Sequence, residues 1–190
     1  DMFLIDVFDF ARTILERRSG KVYGKDLRAT KAFRVILDHV RAAVFMIADG
    51  VRPSNTERGY VLRRILRRAI RHADLLGIKD AALLEMIEGF SSVYAQTYPS
   101  VVERLSDIKE EIRKEEEKFR KTLSQGLKEF EKLSGTTIYG SDAFVLFSTY
   151  GFPLELTEEL ARERGVSVDR EGFAKAMREH QARSRSGAGE

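Results

Sequence analysis

Apolar residues recur every three or four positions along most of the chain, a helical period, and only three prolines interrupt it. Met2 to Arg18 reads as a first helix closed by Ser19-Gly20. A second runs from about Thr30 to Ala48, with Phe33, Ile36, Leu37, Val40, Val44 and Ile47 on one side. The stretch Asp49 to Asn55 then breaks the rhythm. Gly50 suits a helix C-terminus, and Pro53 forbids continuation. A third helix is expected from Glu57 to Leu76, ending at Gly77, and Asp80 is a plausible cap for a fourth that reaches Gln96. Pro99 fits the first turn of a long fifth helix, ending at Leu133 before Ser134-Gly135.

The last third has a shorter rhythm. Thr136 to Gly140 reads as a turn or a brief strand, and Ala143 to Thr149 as a compact apolar helix stopped by Tyr150-Gly151-Phe152-Pro153. Pro153 to Arg164 and Asp169 to about Arg183 complete the set, the latter capped by Asp169. The expected fold class is all-α, or nearly so: an irregular helical array with one long charged helix and a small C-terminal helical subdomain. The expected division is a helical domain over 1–135, a smaller helical subdomain over 136–183 and a flexible tail over 184–190. No internal repeat is visible.

Composition narrows the chemistry. At 190 residues, 43% hydrophobic and 33% charged, the chain can bury a real core under a highly charged surface. A net charge of +3 does not by itself announce nucleic acid, so local clustering matters more. With no cysteine, disulfides and thiolate metal sites are excluded. His39, His72 and His180 lie far apart and form no H-x-x-x-H pair, so a zinc site is not expected. No apolar run approaches the ~20 residues that span a bilayer, and no signal peptide is visible, which makes the cytoplasm the default location. Both ends, Asp1 and the small-polar run Ser184 to Glu190, read as cut ends.

The sharpest local feature begins at Arg58-Gly-Tyr-Val-Leu and continues Arg63-Arg64-Ile-Leu-Arg67-Arg68-Ala-Ile-Arg71-His72. No acidic residue intervenes. At about 100° per residue, Arg63, Arg64, Arg67, Arg68 and Arg71 share an arc of roughly 140°, and Val61, Leu62, Ile65, Leu66, Ala69 and Ile70 fill the remainder. Like charges on one face repel by a few tenths of a kcal/mol per adjacent pair, so the face needs acidic neighbours or an anion. Arginine suits bidentate contact to either phosphate or carboxylate. Pattern alone leaves both open. The fifth helix, with nine acidic and nine basic residues between Glu103 and Lys132, reads as a solvated, salt-bridge-laced rod.

The stretch from Asp38-His39 through Asp49-Gly50-Val51-Arg52-Pro53-Ser54-Asn55 to Arg58-Gly59-Tyr60, Arg63-Arg64 and Arg67-Arg68 closely resembles the signature of alanyl-tRNA synthetases. A second stretch, Ala143-Phe-Val-Leu-Phe-Ser148-Thr149-Tyr150-Gly151-Phe152-Pro153, is similar to that family's A-F-x-L-Y-D-T-Y-G-F-P element, in the family's order and at about its spacing. The resemblance covers essentially the whole chain. It implies the middle region of an alanine–tRNA ligase, which receives the tRNA(Ala) acceptor stem and reads a G·U wobble pair. The catalytic core would precede Asp1 and the editing and dimerising parts would follow Glu190. ATP and Mg would then belong to the parent enzyme, with no cofactor in this segment and no catalytic residue.

A G·U wobble leaves the guanine amine unpaired in the wide, shallow minor groove of A-form RNA, where side chains reach base edges. By resemblance, Asn55 is the base-reading asparagine, although its place beside Pro53 and Ser54 equally suits a turn or cap. Arg58, Arg63, Arg64, Arg67, Arg68 and Arg71 would hold flanking phosphates, which position without specifying. Ser148 stands where the family usually shows Asp. A hydroxyl can still accept, but a charge-assisted bond is roughly twice as strong, so weaker discrimination is expected. Ser148 can also cap or back-bond within its helix. Asp38 and His39 lack a nearby nucleophile, and Tyr60, Tyr150 and Phe152 fit core plugs better than stacking platforms. The competing function is a helical protein-interaction module with an internally paired arginine face.

Overall fold

The computed structural model describes residues 1–79 and 82–186. It is built almost wholly of helices, confirming the expected fold class: a 3-10 turn Met2–Leu4, then α1 Asp6–Ser19, α2 Leu27–Ala48, α3 Glu57–Leu75, α4 Ala82–Tyr94, α5 Pro99–Glu103, α6 Leu105–Lys132, α7 Gly140–Tyr150, α8 Leu154–Glu163 and α9 Arg170–Ser186. Two short strands, β1 Thr137–Ile138 and β2 Ser167–Val168, pair in parallel. The brief strand at Thr136–Gly140 was one of two readings of the sequence. Its partner has no alternating pattern long enough to announce it. Asp80, expected to cap α4, lies outside the described residues.

The chain divides into two compact units, 1–118 and 119–190, so the division falls within α6 rather than at Ser134-Gly135. In the first unit α2 and α3 form the central pair. The apolar side anticipated for α2 is buried, and α3 adds Leu62, Leu66, Ala69, Ile70 and Ala73. α1 and α4 flank them, and Phe8 meets Phe90 edge-on with ring centroids 6.1 Å apart. α2 begins at Leu27, earlier than its apolar pattern, because the Asp26 carboxylate accepts from the Ala29 amide at 2.6 Å. The long helix starting at Pro99 is interrupted at Arg104, which separates α5 from α6. The Arg104 guanidinium donates to the Ala48 carbonyl at 2.8 Å, satisfying the C-terminal end of α2.

In the second unit Phe152 is fully buried, 5.8 Å from Phe119 of α6. Gly126 makes room for it, since a Cβ there would sit 2.4 Å from the Phe152 ring. Arg164 donates to the carbonyls of Phe130 at 2.9 Å and Leu133 at 2.7 Å, closing the end of α6. α7 stops at Gly151 in the left-handed region, φ 73°, as the Tyr-Gly-Phe-Pro element implied. α9 continues through Ser186, so the start of the expected tail is helical, and 187–190 lie outside the described residues. No helix among the described residues is long and apolar enough to cross a membrane.

Candidate nucleic-acid interface

The loop between α2 and α3 is shaped by its own backbone. Gly50 takes φ 88°, and the amides of Gly50 and Val51 return to the carbonyls of Ile47 and Met46 at 2.9 Å each. The loop then folds over the first turn of α3, where the Ser54 amide donates to the Gly59 carbonyl at 3.1 Å. Only glycine fits at 59. A Cβ there would lie 2.1 Å from Ser54 Oγ and 2.5 Å from the Arg52 carbonyl oxygen. Ser54 Oγ donates to the Thr56 carbonyl at 3.0 Å and accepts from the Thr56 amide at 3.3 Å. Thr56 holds the N-cap position without a side-chain capping bond. The turn chemistry that also suited Asn55 is supplied here by the Ser54 hydroxyl.

Asn55 is exposed, and its Oδ1 accepts a hydrogen bond from Arg63 Nη1. Beside it the loop and the start of α3 enclose an open cavity of about 230 Å³, lined by Asp49, Arg52, Ser54, Thr56, Glu57 and Arg58 among others. Arg52 is held at the far side by the Asp107 carboxylate. Glu57 adopts φ 49°, a left-handed conformation at the first position of α3.

The arginines of α3 divide by surroundings. Arg58 is exposed, with no hydrogen bond or ion pair to another described residue. Arg64, Arg68 and Arg71 are half-buried, and Arg71 lies 3.8 Å from Asp74. Arg67 is buried, at 6% exposure, against Glu115 of α6, itself at 4%. Arg67 Nε and Nη2 each approach Glu115 Oε1 to 2.6 Å. Burial pulls the Arg67 guanidinium below its ordinary value, and the Glu115 charge opposes that shift. Arg63 Nε lies 3.3 Å from the same oxygen, close enough for an ion pair although its angle falls short of a hydrogen bond. Of the two partners the arc had left open, carboxylate or anion, α6 supplies a carboxylate to Arg67 and Arg63.

Arg68 has a neutral partner. Its Nη1 lies 3.0 Å from His39 Nε2, and His39 Nδ1 lies 3.0 Å from Asp38 Oδ2. A guanidinium can only donate, so Nε2 carries the lone pair and Nδ1–H donates to Asp38. Burial lowers the imidazole below its usual value. The Asp38 hydrogen bond works against this and the Arg68 charge works with it. His39 thus orients an arginine as a neutral imidazole, with its one ring proton on Nδ1.

Ser148 belongs to the second unit, near the end of α7, where it is exposed and makes no side-chain hydrogen bond to another described residue. Phe152 is a core plug, while Tyr60 and Tyr150 are half-buried. Sequence reading missed Glu115 and Gly59. A glycine inside the first turn of a helix was a visible sign of close backbone approach. Among the described residues, no group of three or more His, Asp or Glu is arranged to hold a metal ion.

The loop thus sets an exposed amide beside an arginine-rich helix. The chain belongs to the class II tRNA synthetases (A), whose family model matches residues 1–190. It is similar to the alanine–tRNA ligase of Thermoanaerobacter sp. (strain X514), 42% identical over 192 residues that cover 97% of this chain and 22% of the relative. The alanine–tRNA ligase of Borreliella afzelii (strain PKo) is 47% identical over 179 residues, 91% of this chain and 30% of the relative. That of Hydrogenovibrio crunogenus is 44% identical over 182 residues, 94% and 21% respectively. The chain thus spans less than a third of the length of these curated relatives.

Proposed function

We propose that this chain is the segment of an alanine–tRNA ligase that receives the acceptor stem of tRNA(Ala) and reads a G·U wobble pair within it. Its partners are that tRNA and the catalytic and editing parts of the same longer enzyme. Alanine activation with ATP and Mg is carried outside these 190 residues. The observation that carries the reading is the exposed Asn55 amide, tied to Arg63 and flanked by the exposed Arg58. An amide offers both an acceptor for the guanine amine and a donor for a neighbouring base or ribose oxygen. Arg58, with the half-buried Arg64 and Arg68, holds backbone phosphates. Arg67 is structural, since its guanidinium is already spent on Glu115.

Titrating the chain with an acceptor-stem hairpin carrying G·U, against the same hairpin with G·C, tests this. The G·U form should bind about tenfold tighter, as expected for one discriminating base contact. Arg58→Ala should weaken both hairpins and reduce the salt slope by about one ion. Ser148→Asp should widen the preference, because a carboxylate accepts from the amine more strongly than a hydroxyl. No alanine-dependent ATP–pyrophosphate exchange is expected from the chain alone. The second reading, a helical protein-interaction module, draws support from the Arg67–Glu115 pairing. It would be favoured if both hairpins bound no better than an unrelated polyanion.

A further inference from the structure

We infer that Glu115 is a positioning residue which, acting through Arg63, fixes the orientation of the Asn55 amide and so sets which groups a ligand meets. The chain of contacts runs outward from the interior. Glu115 Oε1 is locked between Arg67, with Nε and Nη2 both at 2.6 Å, and Arg63 Nε at 3.3 Å. Arg63 is in turn held by the loop, donating through Nη2 to the Pro53 carbonyl at 3.4 Å. Its remaining arm donates to Asn55 Oδ1. The Glu115 side chain is 5% exposed and that of Arg63 15%, whereas Asn55 is at the surface.

The terminal torsion of an asparagine is broad and roughly two-fold, so an unassisted surface amide presents its oxygen and nitrogen interchangeably. Guanidinium groups donate and never accept, so Arg63 can hold only the oxygen. The amide is thereby fixed with its NH2 directed away from Arg63 and one Oδ1 lone pair already engaged. What remains is one acceptor position and a donor pair side by side. That pattern matches a minor-groove edge with an unpaired amine next to a base or ribose oxygen, and it is the reverse of what the flipped amide would offer.

The consequence for RNA rests on the proposed function, while the positioning itself does not, and two measurements separate them. The side-chain amide signals of Asn55 in the labelled chain should be dispersed, and should collapse toward free-amide positions in Glu115→Gln and in Arg63→Lys. Lysine keeps a cation for Glu115 but lacks the fork that reaches Asn55. With the paired hairpins, the G·U preference should fall about fivefold or more in both variants, and adding Glu115→Gln to Asn55→Ala should change the ratio by less than about twofold. The inference is overturned if the Asn55 signals are unmoved, if both hairpins weaken by one common factor, or if the effects of Glu115→Gln and Asn55→Ala on the ratio simply add. Should Glu115→Gln fail to fold, Arg63→Lys decides the matter by the same criteria. If the wild-type chain shows no preference, the RNA reading falls and the amide signals alone judge the positioning.

Discussion

Two of the charge clusters on α6 do different things. On its exposed side, Arg113 bridges Glu110 at 2.8 Å and Glu117 at 2.7 Å, and Lys114 reaches Glu110 at 3.4 Å. All of these partners lie in α6 itself, one turn away. On the covered side, Glu115 meets Arg67 and Arg63, some 48 residues earlier in the chain. The exposed ladder is made by local spacing and faces water, where long side chains gain little by pairing. In the covered cluster, charges taken out of water are tolerable only while each keeps its partner. The same chemistry is thus surface decoration in one place, and in the other the support beneath the recognition loop.

The most severe way to break this contrast is Glu115→Ala, which takes the carboxylate away from two enclosed guanidinium groups and should cost about 3–5 kcal/mol in chemical denaturation. A loss below about 1 kcal/mol would mean that water or another group already compensates them. Gly59→Ala leaves every charge in place but drives a methyl into the Arg52 carbonyl and Ser54. It should destabilise by about 1–3 kcal/mol and displace Asn55, erasing hairpin preference. A normal preference in this variant would show that the loop need not lie on α3.

His39 refines the contrast with a neutral member of the covered set. Its folded-state value lies below the ordinary 6.5, so as pH falls the unfolded chain takes up the proton first. The stability this histidine contributes is therefore complete above about 6.5 and is lost as pH drops from there. Tm measured between about pH 7 and pH 5 should decline more steeply for the wild type than for His39→Gln. Parallel declines would remove His39 as the cause. The smallest effect is expected at the exposed ladder: Arg113→Ala should leave the unfolding curve within its scatter, and a clear drop in Tm would cancel the distinction between the two sets.

Much of the helical framework was legible. The Gly50–Pro53 break, the extent of α3, the stop at Gly151 and the apolar side of α2 all follow from nearest-neighbour chemistry. Less visible was the role of α6. Its equal numbers of acids and bases read as a solvated rod, yet Ile108, Ile112, Phe119 and Leu123 form a buried stripe, and Glu115 and Glu116 stand where that stripe should continue. A carboxylate in the middle of an apolar period was the available signal, and a count of charges conceals it.

By itself, the sequence determined where the helices run, that six arginines cluster in α3 and that Asn55 sits on the turn ahead of them, because periodicity and turn chemistry act over a few residues. The tertiary structure alone decided which of those arginines are enclosed, that Arg63 grips the Asn55 oxygen, and that Glu115 stands behind both. The physical reason is that a charge takes its partner from whatever segment packs against it, and here that segment comes from a distant part of the chain.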